Sequence, residues 1–346
     1  MLGIESRVAV NYATKFRFAS DVCLSEYGIR TGRNILRRAW FGLSAPFMYD
    51  VLHYYFGRSL FCWDDFGPPN ALWYADLKLA RLLGRKIFMT LQGCDARLAY
   101  RSNRKNTYTP CREGCCANFP GCIQGQDAHR EFLMQTILPT CDRVLYLNPE
   151  LGFYVPGGVF LPYTSVDVES IHPVSPRMTG KIRILHAPTD AGVKGTKHVL
   201  EAMEILRRNY DIEFLLVKDM VHEEALKTYR EADIVIDQLL AGWYGAFAVE
   251  CMAMGKLVVC YIRDEDLQFV PPSMKNELPL FNASPDDLVT RLAEAINDRE
   301  HWPEWSERAV KFVRRWHNPR IIAKAMVKAY KDPDSGFDLQ AAVEGL

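Results

Sequence analysis

The chain has 346 residues, 49% of them apolar and 24% charged, and its formal net charge is zero. That length exceeds what one hydrophobic core ordinarily serves, so two domains are expected. The neutral balance argues against a partner recruited by long-range charge, nucleic acid included. No run approaches the ~18 consecutive apolar residues of a membrane span. The opening MLGIESRVAVNYATKFRF has early charges and no apolar centre of signal-peptide length, so a cytoplasmic protein is expected.

In chain order, RVAVNYA (Arg7–Ala13) and DVLHYYF (Asp50–Phe56) read as strands. Between them RTGRNILRRAW (Arg30–Trp40) is basic with apolar residues interleaved. Such a stretch suits a solvated basic face or a peripheral contact with anionic lipid. Ala75–Leu83 has helical spacing and ends at Gly84, a natural C-cap. KIFMTLQG (Lys86–Gly93) is a strand leading into a glycine turn. A long irregular insert runs from about Ala99 to Gly125, and short strands follow at Asp142–Leu147 and Val159–Leu161. HPVSPRMTG (His172–Gly180) lacks periodicity and marks an interdomain boundary.

The second half alternates regularly. Strands at Lys181–Pro188, Glu213–Val217, Asp233–Leu240 and Lys256–Ile262 are separated by helical stretches. One of these follows Lys194-Gly195-Thr196, with Val199, Leu200, Met203 and Leu206 expected on its buried face. A charged helix covers Glu223–Ala232, and a small-residue helix covers Gly245–Gly255. Ser284-Pro285-Asp286-Asp287 reads as a helix start, continued by Leu288, Leu292 and Ile296. Two amphipathic helices, Trp305–Trp316 and Arg320–Tyr330, are broken at Asn318-Pro319. Alternating strands and helices predict a doubly wound α/β domain with a parallel sheet. The expected division is 1–174, 175–316, and a terminal segment 317–346 folding back on the first domain.

Within YGAFAVECMAMGKLVV, Glu250 is the lone carboxylate in an almost wholly apolar run. Burying an unpaired carboxylate is costly, so either the protein or a ligand must satisfy it. Ten cysteines are present, four of them crowded: Cys111, Cys115, Cys116 and Cys122. With Cys94 or Cys141 they could hold a structural zinc, but the C-x3-C and C-x5-C spacings are not the paired C-x2-C pattern. Free thiols in a loop are the other reading.

Three stretches, taken in order, resemble the retaining glycosyltransferases of family 4: LYLNPELGFYVPGGVFLPYTSVDVESIHPV (Leu145–Val174), HAPTDAGVKGTKHVLEAME (His186–Glu204) and GWYGAFAVECMAMGKLVV (Gly242–Val259). DVLHYYFGRSL (Asp50–Leu60) and FMTLQGCDAR (Phe88–Arg97) resemble first-domain segments of bacterial members. The resemblance implies a GT-B fold, in which two Rossmann-like domains face a cleft. It further implies metal-independent transfer of a sugar, with retention, from a nucleoside-diphosphate sugar on the second domain. The acceptor, a glycan, a lipid-linked molecule or a small molecule, would lie on the first. No cofactor is required. Glu250 then takes the place of the glutamate that binds the ribose, and Lys194 that of the diphosphate lysine. Gly242 stands where the first of the paired glutamates is usual, Thr189 where an arginine is usual, and Leu257 where a proline is usual.

Donor-binding candidates are therefore Glu250, Lys194, Gly242, Tyr244, Gly245, Thr189 and Lys197. A carboxylate suits two ribose hydroxyls, and a cation at a helix start suits a diphosphate. Lys197 also reads as a solvated helix residue. Gln92, Gly93 and Arg97 are candidates for the acceptor side, since loops at the carboxyl ends of parallel strands line ligand clefts. Asp95 and His53 are the catalytic candidates, although a histidine within an apolar strand is more often a core residue. The other readings are a non-catalytic GT-B protein that binds sugar nucleotides and a GT-B epimerase.

Overall fold

The computed structural model describes residues 3–12, 20–25, 31–61, 72–218, 220–334 and 337–345. Ala13, at the end of the first expected strand, and Arg30 lie outside them. Near the amino end, β1 (Ala9–Tyr12) and β2 (Val22–Ser25) form a small parallel ribbon. Helix α1 (Gly32–Met48) leads to the first main sheet. That sheet comprises β3 (Val51–Tyr55), β4 (Lys86–Leu91), β5 (Arg143–Tyr146) and β6 (Val159–Phe160), all parallel and in that order. The apolar run of β4 is buried on both faces, as a central parallel strand requires. α2 (Ala75–Leu82) enters β4 through Gly84, whose φ of +69° suits glycine.

The insert is more ordered than its sequence suggests. α3 (Ala99–Lys105) starts it. From Phe119 to Ile137 the chain then runs as one helical stretch, with α4 (Asp127–Phe132) between two π-wound segments, Cys122–Gln126 and Leu133–Ile137. The Asp127 carboxylate accepts from the backbone N–H groups of Ala99 and Tyr100 at 2.9 and 3.0 Å. It thus caps α3 from a distance in sequence that local capping rules do not reach.

The second sheet holds β7 (Ile182–His186), β8 (Ile212–Leu216), β9 (Ile234–Ile236), β10 (Leu257–Cys260) and β11 (Leu280–Asn282). All are parallel, in the order β11-β10-β9-β7-β8. Its connecting helices include α5 (Ala191–Lys194), α6 (Thr196–Leu206), α7 (His222–Glu231), α8 (Ala246–Ala253) and α9 (Leu288–Asn297). On α6, Val199, Ala202, Met203 and Leu206 are buried, whereas Leu200 is exposed; Ala202 takes the place expected for Leu200 on the inward stripe. Helix α9 begins at Leu288, later than Ser284. The Ser284 N–H and hydroxyl both donate to the Asp287 carboxylate, closing a turn ahead of the helix.

After α10 (Trp302–Trp316), Asn318 accepts from the N–H groups of Arg320 and Ile321 and starts α11 (Pro319–Lys331). α11 crosses back to the first sheet, as expected. The Tyr330 hydroxyl lies 2.6 Å from His53 Nδ1, and Lys86 Nζ donates to the Tyr330 carbonyl at 2.9 Å. Beyond it, Arg143 Nε donates to the Pro333 carbonyl at 2.7 Å. A cavity of about 1930 Å³ is lined by β1, α1, β3 and the end of α11. Among the described residues, no helix is long and apolar enough to cross a membrane.

Candidate functional site

The carboxyl ends of β7 and β9 lie side by side and set the second-domain wall of the cleft. His186, at the end of β7, is fully buried, and burial lowers its pKa to about 4. Its Nδ1 faces the Ile236 carbonyl at 2.8 Å and its Nε2 faces the Thr196 hydroxyl at 2.9 Å, pinning the start of α6 to the sheet. Gly195 takes φ +77°, and the turn holds Lys194 against β9. Lys194 Nζ is 2.8 Å from the buried Asp237 carboxylate, whose other oxygen accepts from the Gly245 N–H at 2.6 Å. Asp237 thus ties the cation to the loop ahead of α8. Among the described residues no side chain caps α8, which leaves its first N–H groups suited to an anion. Sequence reading overlooked Asp237. The available signal was an acid directly after a fully apolar strand.

Glu250 lies on α8 with its side chain mostly buried, and burial raises its pKa from 4.5 to about 7. The one ion-pairing group found for it among the described residues is His222 Nε2 at 3.2 Å, on the more exposed helix α7. The protein therefore leaves this carboxylate poorly compensated. Thr189 is exposed, and Lys197 is a solvated helix residue 3.8 Å from Glu201.

Gly242 takes φ +76°, and a Cβ there would come within 2.8 Å of the Arg263 guanidinium. Any side chain at this position would strain the left-handed backbone and require the Arg263 guanidinium to shift. Arg263 itself donates to Asp266 at 2.8 Å and to the Tyr108 carbonyl at 3.0 Å, and it lies 3.9 Å from Glu150. The Tyr244 side chain turns away from the cleft: it is fully buried, with its hydroxyl 2.9 Å from His317 Nε2. Its expected donor contact can come only from its backbone. The neighbouring Trp243 packs edge-on against Phe160 of the first domain.

On the opposite wall, both Asp95 oxygens are engaged. They accept from the Gln92 N–H at 2.8 and 3.0 Å, and one accepts from the Gly93 N–H at 2.6 Å. Burial raises the Asp95 pKa in spite of these bonds. Asp95 shapes the loop that presents Gln92 and Gly93. Arg97 is buried, with Nε 2.6 Å from Glu150, and Glu150 also accepts from Ser102 and Asn106. Burial opposes the Glu150 charge, but Arg97 and then Arg263 outweigh it and hold its pKa below the usual value. Arg97 is thus an ion-pair residue and not a free acceptor contact. His53 is likewise satisfied at both ring nitrogens, by Tyr330 and by the Thr90 hydroxyl at 2.7 Å, and burial lowers its pKa to about 4. It fastens α11 to the first sheet and has no nitrogen left for catalysis.

Two further residues belong here. The Tyr163 hydroxyl reaches Asn148 at 3.4 Å, and Asn148 donates to the Gln92 carbonyl. Burial first, and then the charge of Asp237 across the cleft, raise the Tyr163 pKa to about 12. Tyr163 follows the last first-domain strand, in a segment with no periodicity to single it out.

The cysteine loop spans the two domains. The Cys115 carbonyl abuts Gly192 of α5, Tyr108 bonds Asp286 at 2.5 Å, and Lys105 pairs with Glu265 at 3.3 Å. Cys111 and Cys122 pack with Ala99 and Phe119 in a small apolar cluster. Among the described residues no three His, Cys, Asp or Glu side chains converge to hold a metal ion.

No family model matches the chain, and no curated protein matches it. Solved structures do. Sucrose-phosphate synthase from Thermosynechococcus elongatus superposes with a TM-score of 0.54 at 14% identity, over 91% of this chain and 83% of that one. A glycosyltransferase from Rickettsia africae ESF-5 does so at 0.52 and 13% identity, over 90% and 85%. These neighbours are GT-B glycosyltransferases, and this chain likewise holds two main parallel sheets. The chain has the GT-B fold. At these identities the likeness is one of fold, and residue roles in this GT-B protein rest on its own geometry.

Proposed function

We propose that this GT-B protein is a glycosyltransferase that takes its sugar from a nucleoside-diphosphate sugar held on the second domain. The observation that carries the reading is Glu250. Its carboxyl group is pushed to a pKa of about 7 by burial, and it sits on the helix whose N-terminal loop is tied to Lys194 through Asp237. A ribose diol would supply the two donors that the protein does not, and a diphosphate would meet Lys194 and the open N–H groups of α8. As the glycosidic bond breaks, charge grows on the leaving phosphate, where a fixed cation stabilises the transition state more than the ground state. The acceptor would approach from Gln92 and Gly93. Its hydroxyl would attack on the face from which the nucleotide departs, giving retention, with the leaving phosphate taking the proton. Neither a metal nor a side-chain base is required, in keeping with the engaged states of Asp95 and His53.

A second reading is favoured by one feature. Gly242 brings no side chain to the sugar, and Arg263 fills the space, which suits a protein that binds sugar nucleotides without transferring them.

Calorimetric titration with UDP, GDP and their common sugar conjugates tests both. Micromolar binding by one nucleotide, lost in Glu250→Ala, is expected. No binding by any of them to the folded protein would overturn the donor site. Tight binding without transfer or slow hydrolysis of the sugar would select the second reading.

A further inference from the structure

The face of α1 that points away from the protein is apolar. Its inward side is formed by Arg38, Gly42, Ala45 and Pro46, all buried. The outward side carries Leu36, Trp40, Leu43 and Phe47, exposed by 72%, 75%, 49% and 62%. Their spacing of four, three and four residues sets them in one stripe along the helix. A stripe of large exposed side chains on a folded domain marks a contact surface. Isolated surface leucines are ordinary, but four aligned residues that include a tryptophan are not.

The charges on the helix indicate the occupant. GRNILRRAWFGLSAPFM contains three arginines and no acid, in a chain whose charges sum to zero. Arg33 and Arg37 are exposed and project beside the stripe, one turn apart. We propose that α1 is a docking helix that lies in the interface of an anionic lipid bilayer, its apolar stripe among the acyl chains and Arg33 and Arg37 against the headgroups. Tryptophan and arginine are the side chains suited to that boundary, where one end is apolar and the other polar. The inner side of α1 lines the large cavity next to β3, so a docked helix would seat the first domain on the membrane surface. This inference stands on α1 alone and does not depend on the role of Glu250.

The test is co-sedimentation of the full chain with vesicles of phosphatidylcholine and phosphatidylglycerol, and with vesicles of phosphatidylcholine alone. Binding to the anionic vesicles that weakens with salt is expected. Trp40→Ser combined with Phe47→Ser should weaken it by roughly tenfold or more, and Arg33→Glu with Arg37→Glu should remove the preference for anionic lipid. These positions face solvent, and an unchanged melting temperature will show that the variants fold. The proposal fails if the wild-type chain stays in the supernatant or if the double serine variant binds as wild type does. It also fails if the chain is a dimer that these substitutions dissociate, with no vesicle binding. That result would assign the face to a second copy.

Discussion

The two walls of the cleft carry similar charges and hold them in opposite ways. On the first-domain wall Asp95, Arg97 and Glu150 are used internally. Asp95 is consumed by two backbone N–H groups, and Arg97 by Glu150, which Arg263 of the second domain approaches in turn. On the second-domain wall, Glu250 has one half-exposed histidine near it and a pKa driven up to about 7. The first wall is a scaffold whose electrostatics are complete without a ligand, whereas on the second, where Asp237 already pairs with Lys194, Glu250 is left incomplete. A ligand gains most where the protein has left a group unsatisfied, since it then replaces a cost and not an existing bond.

That contrast can be broken most forcefully at Glu150. Glu150→Ala leaves the buried Arg97 guanidinium without its carboxylate, while Arg263 keeps Asp266, and should cost about 3–5 kcal/mol of stability, read as a lowered midpoint in urea unfolding. A loss within experimental error would mean that the first wall is not held by its charges. Gly242→Ala comes next. The left-handed backbone and the Arg263 contact should together cost about 1–3 kcal/mol, and most of the steric part should return in a Gly242→Ala, Arg263→Ala double variant compared with Arg263→Ala alone. Equal losses in both backgrounds would show that the backbone conformation, and not Arg263, demands glycine.

The smallest effect sharpens the comparison. The Glu250 carboxyl is raised in the folded chain, so its stabilising contribution is full below about pH 4.5 and is lost as pH rises through about 7. Glu250→Gln removes that loss and should be more stable than wild type at pH 8 by ~1–2 kcal/mol, with little difference at pH 4.5. Thermal melts across that range check it. A constant difference across pH would place the Glu250 pKa at its ordinary value and remove the asymmetry between the walls.

Much of the second domain was legible in its sequence because its signals are local. Short apolar runs such as Ile182–His186 and Leu257–Cys260 alternate with amphipathic helices at loop lengths that permit only a parallel α/β sheet. The isolation of Glu250 within an apolar run was equally visible, as was the basic, apolar-rich character of α1. What escaped depended on partners distant in the chain. Asp127 caps α3 across 28 residues, His53 meets Tyr330 across 277, and Arg263 closes the space beside Gly242. A carboxylate, an imidazole or a guanidinium has the same appearance in sequence whether it is satisfied or free. Sequence by itself determined most of the second domain's strands and helices and which groups carry charge. Only the tertiary structure decided which of those charges were already satisfied, because hydrogen bonds and burial are made between segments that sequence order does not bring together.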